Sequence, residues 1–175
     1  MKRLAVAVIV GIFVTGAFAQ TAAPKPGPEQ KRIGYFAGKW NWEGESKPSP
    51  MGPGGKVTGT ENCSWYEGGF HLVCHNDFTG PRGKAKGQSI MGYDPTAGTY
   101  TYYAINSIGE GFFVRGNVTD AVWTWDAEMP VEGKSMKMKV TITEQSPTVY
   151  TFKMEGSFDG GPWTVFEEAK ATKAS

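Results

Sequence analysis

The sequence predicts an all-β protein, a single antiparallel up-and-down β-barrel of about ten strands with a short helical turn ahead of the first. Three observations lead there. From about residue 37 to 171, polar and apolar residues alternate with a period of two, broken every ten residues or so by Gly, Pro, Asn and Asp. The breaks are short and carry hairpin chemistry: Gly68-Gly69, Asp94 to Gly98, Thr119-Asp120, Ser146-Pro147 and Asp159-Gly160-Gly161. No helix-period stretch is long enough to cover a sheet, so the sheet buries its apolar face by closing on itself. A two-sheet sandwich with Greek-key links is the competing arrangement.

The elements follow in order. Residues 1–19 have the layout of a secretory signal peptide: Lys2 and Arg3, an apolar run from Leu4 to Val14, and Ala17-Phe18-Ala19 as a cleavage site. That run is too short to span a bilayer as a helix. It predicts export to the periplasm or beyond, with no integral membrane segment after cleavage. Residues 20–28 are proline-rich and read as a disordered lead-in, and 29–175 form one domain. Glu29 to Tyr35 suits a short helical turn. Strands are expected near 37–48, 55–67, 70–79, 84–93, 98–106, 110–118, 121–129, 134–144, 148–158 and 162–171. The chain carries a formal charge of +1, and that balance shows no footprint for nucleic acid. The cluster Arg82, Lys84 and Lys86 reads as a solvated strand face.

Inward faces follow from the alternation. Trp40 and Trp42 share one, Trp123 and Trp125 another, Met136 to Ile142 a third, and Tyr150 to Phe158 a fourth. The fifth strand is apolar on both sides, with Tyr100 and Tyr102 against Tyr103 and Ile105. Aromatic residues make up 13% of the chain, more than a minimal core needs. They are either barrel filling with an outer aromatic cover or, in part, the lining of a ligand cavity. The candidate lining residues are Trp40, Trp42, Met91, Tyr103, Phe112, Trp125, Met138 and Phe152.

Both cysteines and both histidines lie in ENCSWYEGGFHLVCHN, residues 61–76. If Gly68 and Gly69 form a two-residue loop, pairs step outward from Glu67–Phe70 to Cys63–Cys74. The cysteines then face each other in a hydrogen-bonded pair about 5.5 Å apart at Cα, within reach of a disulfide. Core thiols are the alternative. His71 and His75 are four residues apart on a strand, roughly 13 Å, too far for one metal ion. No metal ligand set, cofactor motif or catalytic constellation is found: G-x-S-x-G, the P-loop and H-E-x-x-H are all missing. Glu167 and Glu168 fall on opposite faces of the last strand, so one of them is a candidate interior carboxylate.

Phe36-Ala37-Gly38-Lys39-Trp40 carries the G-x-W pattern that opens the first strand of calycins, the lipocalin and fatty-acid-binding superfamily. Longer stretches, among them PGPEQKRIGYFAGKWNWEG, GQSIMGYDPTAGTYTYYAIN and DGGPWTVFEEAKATK, resemble the bacterial domain-of-unknown-function family 1579 across nearly the whole chain. The resemblance implies a calycin-like barrel of unassigned activity, with Trp40 closing its floor. Gln30 and Asn106 stand where that family has His and Asp, so no metal or acid–base role is carried over to them. Nitrobindin-like barrels hold haem through a late-strand histidine; no histidine follows His75, and that role does not transfer either.

The reading is a small exported barrel that binds a small hydrophobic or amphipathic ligand. One alternative is a packed interaction module that docks an envelope or secreted protein partner through outer aromatic residues. The other is a hydrolase-type enzyme using an interior carboxylate.

Overall fold

The computed structural model describes residues 23–50, 52–131 and 133–174; the signal segment expected at 1–19 lies outside them. A short helix α1 (Pro28–Arg32) and a 3-10 turn (Ile33–Phe36) precede ten strands. These are β1 (Gly38–Ser46), β2 (Gly55–Trp65), β3 (Leu72–Gly80), β4 (Gly83–Asp94), β5 (Thr99–Asn106), β6 (Gly111–Thr119), β7 (Val122–Val131), β8 (Lys134–Ser146), β9 (Val149–Phe158) and β10 (Thr164–Lys173). Each strand pairs antiparallel with its sequence neighbours, and β10 pairs with β1, so the sheet closes into an up-and-down barrel with no free edge. The sandwich alternative is excluded by that closure.

The entry to the barrel is built locally. Pro28 sits in the first turn of α1, where its missing N–H costs nothing. The backbone N–H of Gly27 donates to Gln30 Oε1 at 2.9 Å. Ile33 and Phe36 then turn inward and plug one end, and Trp40 Nε1 donates to the carbonyl of Phe36 at 2.8 Å. Between plug and strand, Gly38 adopts φ +108°, a conformation only glycine takes without strain.

Outside, Arg32 clamps the plug. Its guanidinium lies 5.0 Å over the Trp123 ring, pairs with Glu144 at 2.7 Å and donates to the carbonyl of Asp120 at 2.9 Å. Trp123 Nε1 donates to the same Glu144 carboxylate at 2.7 Å. The Tyr35 hydroxyl reaches the carbonyls of Ser146 and Val149.

The Cys63–Cys74 disulfide is present, with one difference from the expected register. The β2–β3 loop is four residues long rather than two. Tyr66 N–H donates to the carbonyl of His71, and Gly69 N–H donates to that of Tyr66. Adding one residue on each side keeps Cys63 opposite Cys74 but exchanges the two kinds of antiparallel pair. The cysteines occupy the closer, non-hydrogen-bonded type, and their Cα atoms are 4.0 Å apart rather than about 5.5 Å.

Candidate functional site

The two ends of the barrel differ. At the plugged end the rings of Phe36 and Trp123 and of Trp40 and Tyr150 pack edge-to-face, with Ile33 and Leu72 in the same cluster, and each of the six keeps 3% or less of its surface exposed. Toward the other end, Trp42, Glu61, Asn76, Tyr102, Val140 and Phe152 still face inward by register but are only half-buried. The inward side chains are thus less fully buried toward that end than at the plugged end. Part of the far rim is filled by Met136, Met138 and Phe166 with Met154 and Phe158 around them. Phe166 joins that group because a bulge between Val165 and Glu167 turns it inward.

The inward face above the floor has two unlike sides. Registers across β1–β5 place Trp42, Glu61, Asn76, Ser89 and Tyr102 on successive strands, each opposite the next or one inward step from it. Across β7–β10 the facing positions are Trp125, Val140, Phe152, Met154 and Ala169, all apolar. Glu61 is the ionisable centre of the polar wall. Burial pushes its carboxyl up to about 7, against a hydrogen bond from the Asn76 amide that pulls it down. Gly87 makes that bond possible, since a Cβ there would collide with Asn76 Oδ1. Burial also raises the Tyr102 and Tyr150 phenols, and the nearby Glu61 charge adds to the effect.

Two buried side-chain atoms among the described residues make no hydrogen bond, Trp42 Nε1 and Ser89 Oγ. Both lie on the polar wall. The phenols of Tyr150 and Tyr102 come near them without reaching hydrogen-bond geometry. Orphaned buried polar atoms are uncommon in folded proteins and need a reason.

The candidate lining residues separate clearly. Trp40 is buried at the plugged end, and Met91 and Trp125 are buried in the same core cluster. Trp42 and Phe152 face inward and half-buried above it, 5.3 Å apart at their ring centroids. Met138 is in the rim cluster and Phe112 faces inward near the rim, 39% exposed. Tyr103 does not line the interior: Tyr102 and Tyr100 take the inner face of β5, so Tyr103 points out, 47% exposed. Of the two late glutamates, Glu167 faces inward and accepts from the Ser46 hydroxyl at 2.8 Å, whereas Glu168 is exposed on the outside.

The polar wall itself, Glu61 with Asn76, Ser89 and Tyr102, was not among the expected site residues. One signal pointed to it. Glu61 lies two residues before Cys63, so any register that buries Cys63 also turns Glu61 inward.

Glu61, Cys63 and Cys74 bring their ligand atoms within 4.8 Å of one another. Both sulfurs are tied up in the disulfide, so the group offers a metal one carboxylate and no thiolate. His71 and His75 are exposed on the outside. Two grooves of about 570 and 630 Å³ also lie on the outside, walled by Glu45, Lys153 and Glu168 in one and by Asp77, Lys84 and Lys86 in the other.

Solved structures with the same fold include Rv2717c from M. tuberculosis and the S-type phycobiliprotein lyase CPES from Guillardia theta. The first is 13% identical with a TM-score of 0.58 and covers 85% of this chain and 99% of its own. The second is 7% identical with a TM-score of 0.56, covering 84% and 93%. At such identities the likeness speaks for the fold alone. A search of curated proteins returned no match. The sequence profile described as "Protein of unknown function (DUF1579)" matches residues 25–173, and the chain belongs to that family.

Proposed function

We propose that the protein binds a small hydrophobic or amphipathic molecule in the barrel lumen, in the manner of calycins, and that it does so after export to the periplasm or beyond. The observation that supports the reading is the half-buried state of inward-facing Trp42, Val140 and Phe152 above a fully buried floor. A barrel packed only for stability would close over these positions as it does over Trp40 and Trp123. Export is supported by the leader-like first 19 residues and agrees with a disulfide, which persists in oxidising compartments.

One observation favours a second reading, docking of a protein partner. Ile90, Tyr103 and Phe113 stand in register on β4, β5 and β6, all outward and exposed, with Ile105 beside them. An apolar row on a sheet exterior is a common mark of an interaction surface.

The test uses Nile red, a neutral probe that brightens in apolar surroundings, together with native mass spectrometry of gently purified protein. Ala85 faces inward opposite Phe78, and Ala85→Trp should obstruct the lumen. The expected result is Nile red binding that the variant weakens about tenfold or more. Binding that is unchanged in Ala85→Trp puts the probe on the outer surface and overturns the lumen reading.

A further inference from the structure

The Cys63–Cys74 disulfide does not stand alone on the inner face. Cys63 and Cys74 are opposite each other on β2 and β3, and the next inward pair along the same two strands is Glu61 with Asn76. The Glu61 carboxylate and the two sulfurs therefore converge, with their ligand atoms within 4.8 Å of one another. Among the described residues, no other three side chains of His, Cys, Asp or Glu come together in this way.

In the oxidised protein the group has little to offer a metal, because a disulfide sulfur carries no charge and the thiolate is the ligand. Reduction changes that. Two thiolates on one tetrahedral zinc ion stand about 3.8 Å apart, as Zn–S bonds of about 2.3 Å require. Cys63 and Cys74 are cross-strand neighbours with Cα atoms 4.0 Å apart, so their side chains run side by side. Rotation about χ1 then brings the sulfurs to that separation with the strands unmoved. Glu61 supplies an oxygen as third ligand from the same face. Asn76, hydrogen-bonded to the carboxylate, orients it, as partners behind metal ligands commonly do. The cysteines are buried and Glu61 half-buried, so solvent reaches the group from the Glu61 side and a water can take the fourth position.

We infer that Glu61, Cys63 and Cys74 form a redox-gated site for a thiophilic divalent cation of the zinc class. The reduced protein binds the ion through two thiolates and one carboxylate, and disulfide formation expels it. A dithiol reductant breaks the S–S bond, delivers two electrons and two protons to the sulfurs, and is itself left as a disulfide. The ion then displaces the two thiol protons. Exchange with an oxidising disulfide withdraws two electrons from the thiolates and remakes the S–S bond, which leaves the ion one carboxylate.

The probe is Cd2+, whose bonds to thiolate absorb in the ultraviolet. The chain is unfolded with a phosphine reductant, refolded without oxygen, freed of the reductant and checked for the barrel by circular dichroism. Reduced wild-type protein should take up one Cd2+ per chain with thiolate charge-transfer absorption, and the disulfide form should bind about a hundredfold or more weakly. Zn2+ should compete for the site and raise the melting temperature of the reduced protein by about 5 °C or more, leaving that of the oxidised protein unchanged. Glu61→Gln replaces a carboxylate by a weaker oxygen ligand. It should keep the absorption band and weaken Cd2+ binding about tenfold or more.

Should the reduced chain stay unfolded alone, Cd2+ should restore its β spectrum, because a site formed only in the folded state couples binding to folding. A reduced chain that takes up no Cd2+, or that binds it without recovering the barrel, overturns the site. Binding that survives in Cys63→Ser/Cys74→Ser overturns it as well. An affinity indifferent to Glu61→Gln removes the third ligand and with it the proposed geometry.

Discussion

Replacing Glu61 by Gln should stabilise the protein at pH 8 and leave its stability nearly unchanged at pH 4.5. In the folded barrel the carboxyl titrates at about 7, against 4.5 for an unperturbed glutamate, because ionisation within the barrel forfeits hydration that the single Asn76 bond does not restore. Below pH 4.5 folded and unfolded chains both hold the proton. Between 4.5 and 7 only the folded chain holds it, so stability falls as pH rises, and above 7 the penalty is complete. Each pH unit of difference corresponds to about 1.4 kcal/mol, so the full effect is about 3 kcal/mol. Gln carries no charge and keeps the partner, so its curve should lack this slope. Urea unfolding of both proteins from pH 4.5 to 8.5, disulfide intact, measures the difference directly. Exposed carboxylates such as Asp94 and Glu110, whose protons are held less tightly in the folded state, cancel between the two proteins. In thermal melts the gap at pH 8 should be on the order of 10 °C. A difference that stays flat across this range would refute the claim that Glu61 is buried with a displaced proton affinity.

Other perturbations probe the parts around it. Removing the disulfide as Cys63→Ala/Cys74→Ala frees a short hairpin loop, of sequence separation 11, in the unfolded chain, and should lower stability by about 2–3 kcal/mol in urea titrations. Unchanged unfolding would mean that the β2–β3 hairpin stays ordered in the denatured state. Ser89→Ala deletes a buried hydroxyl without a partner, so it should change stability by less than about 1 kcal/mol, where a hydroxyl with its hydrogen bond made would cost more. Gly116→Ala should destabilise the barrel by about 1–3 kcal/mol, since its Cβ would strike the Trp125 ring and the Thr124 carbonyl. Arg32→Met removes the charge that holds Glu144 against the plug, and amide exchange of residues 28–36 should quicken while the strand core keeps its protection.

Alternation with a period of two, short hairpin links and the lack of a covering helix were enough to determine a closed antiparallel barrel, because an uncovered sheet of this size has few ways to bury one face. The pairing of Cys63 with Cys74 was legible for a similar reason: a hairpin with an even loop carries the same opposing residues whether the loop has two residues or four. The type of that pair was not legible, because it depends on how Tyr66, Gly69 and His71 hydrogen-bond across the turn. That Trp40 and Trp42 share an inward face could be read from the sequence, but which residues face inward beyond them could not. Alternation says which residues share a strand face, and on β5, where Tyr100 to Ile105 is apolar on both faces, it does not say which face is inside. Only closure of the barrel turned Tyr102 inward and Tyr103 out. The polar wall was hidden for a deeper reason. Glu61, Asn76, Ser89 and Tyr102 come from four strands, each contributing one ordinary residue, and their proximity is a property of the strand registers. The displaced proton affinity of Glu61 belongs to the same level, because an enclosing barrel, and no local spacing, withdraws its carboxyl from water.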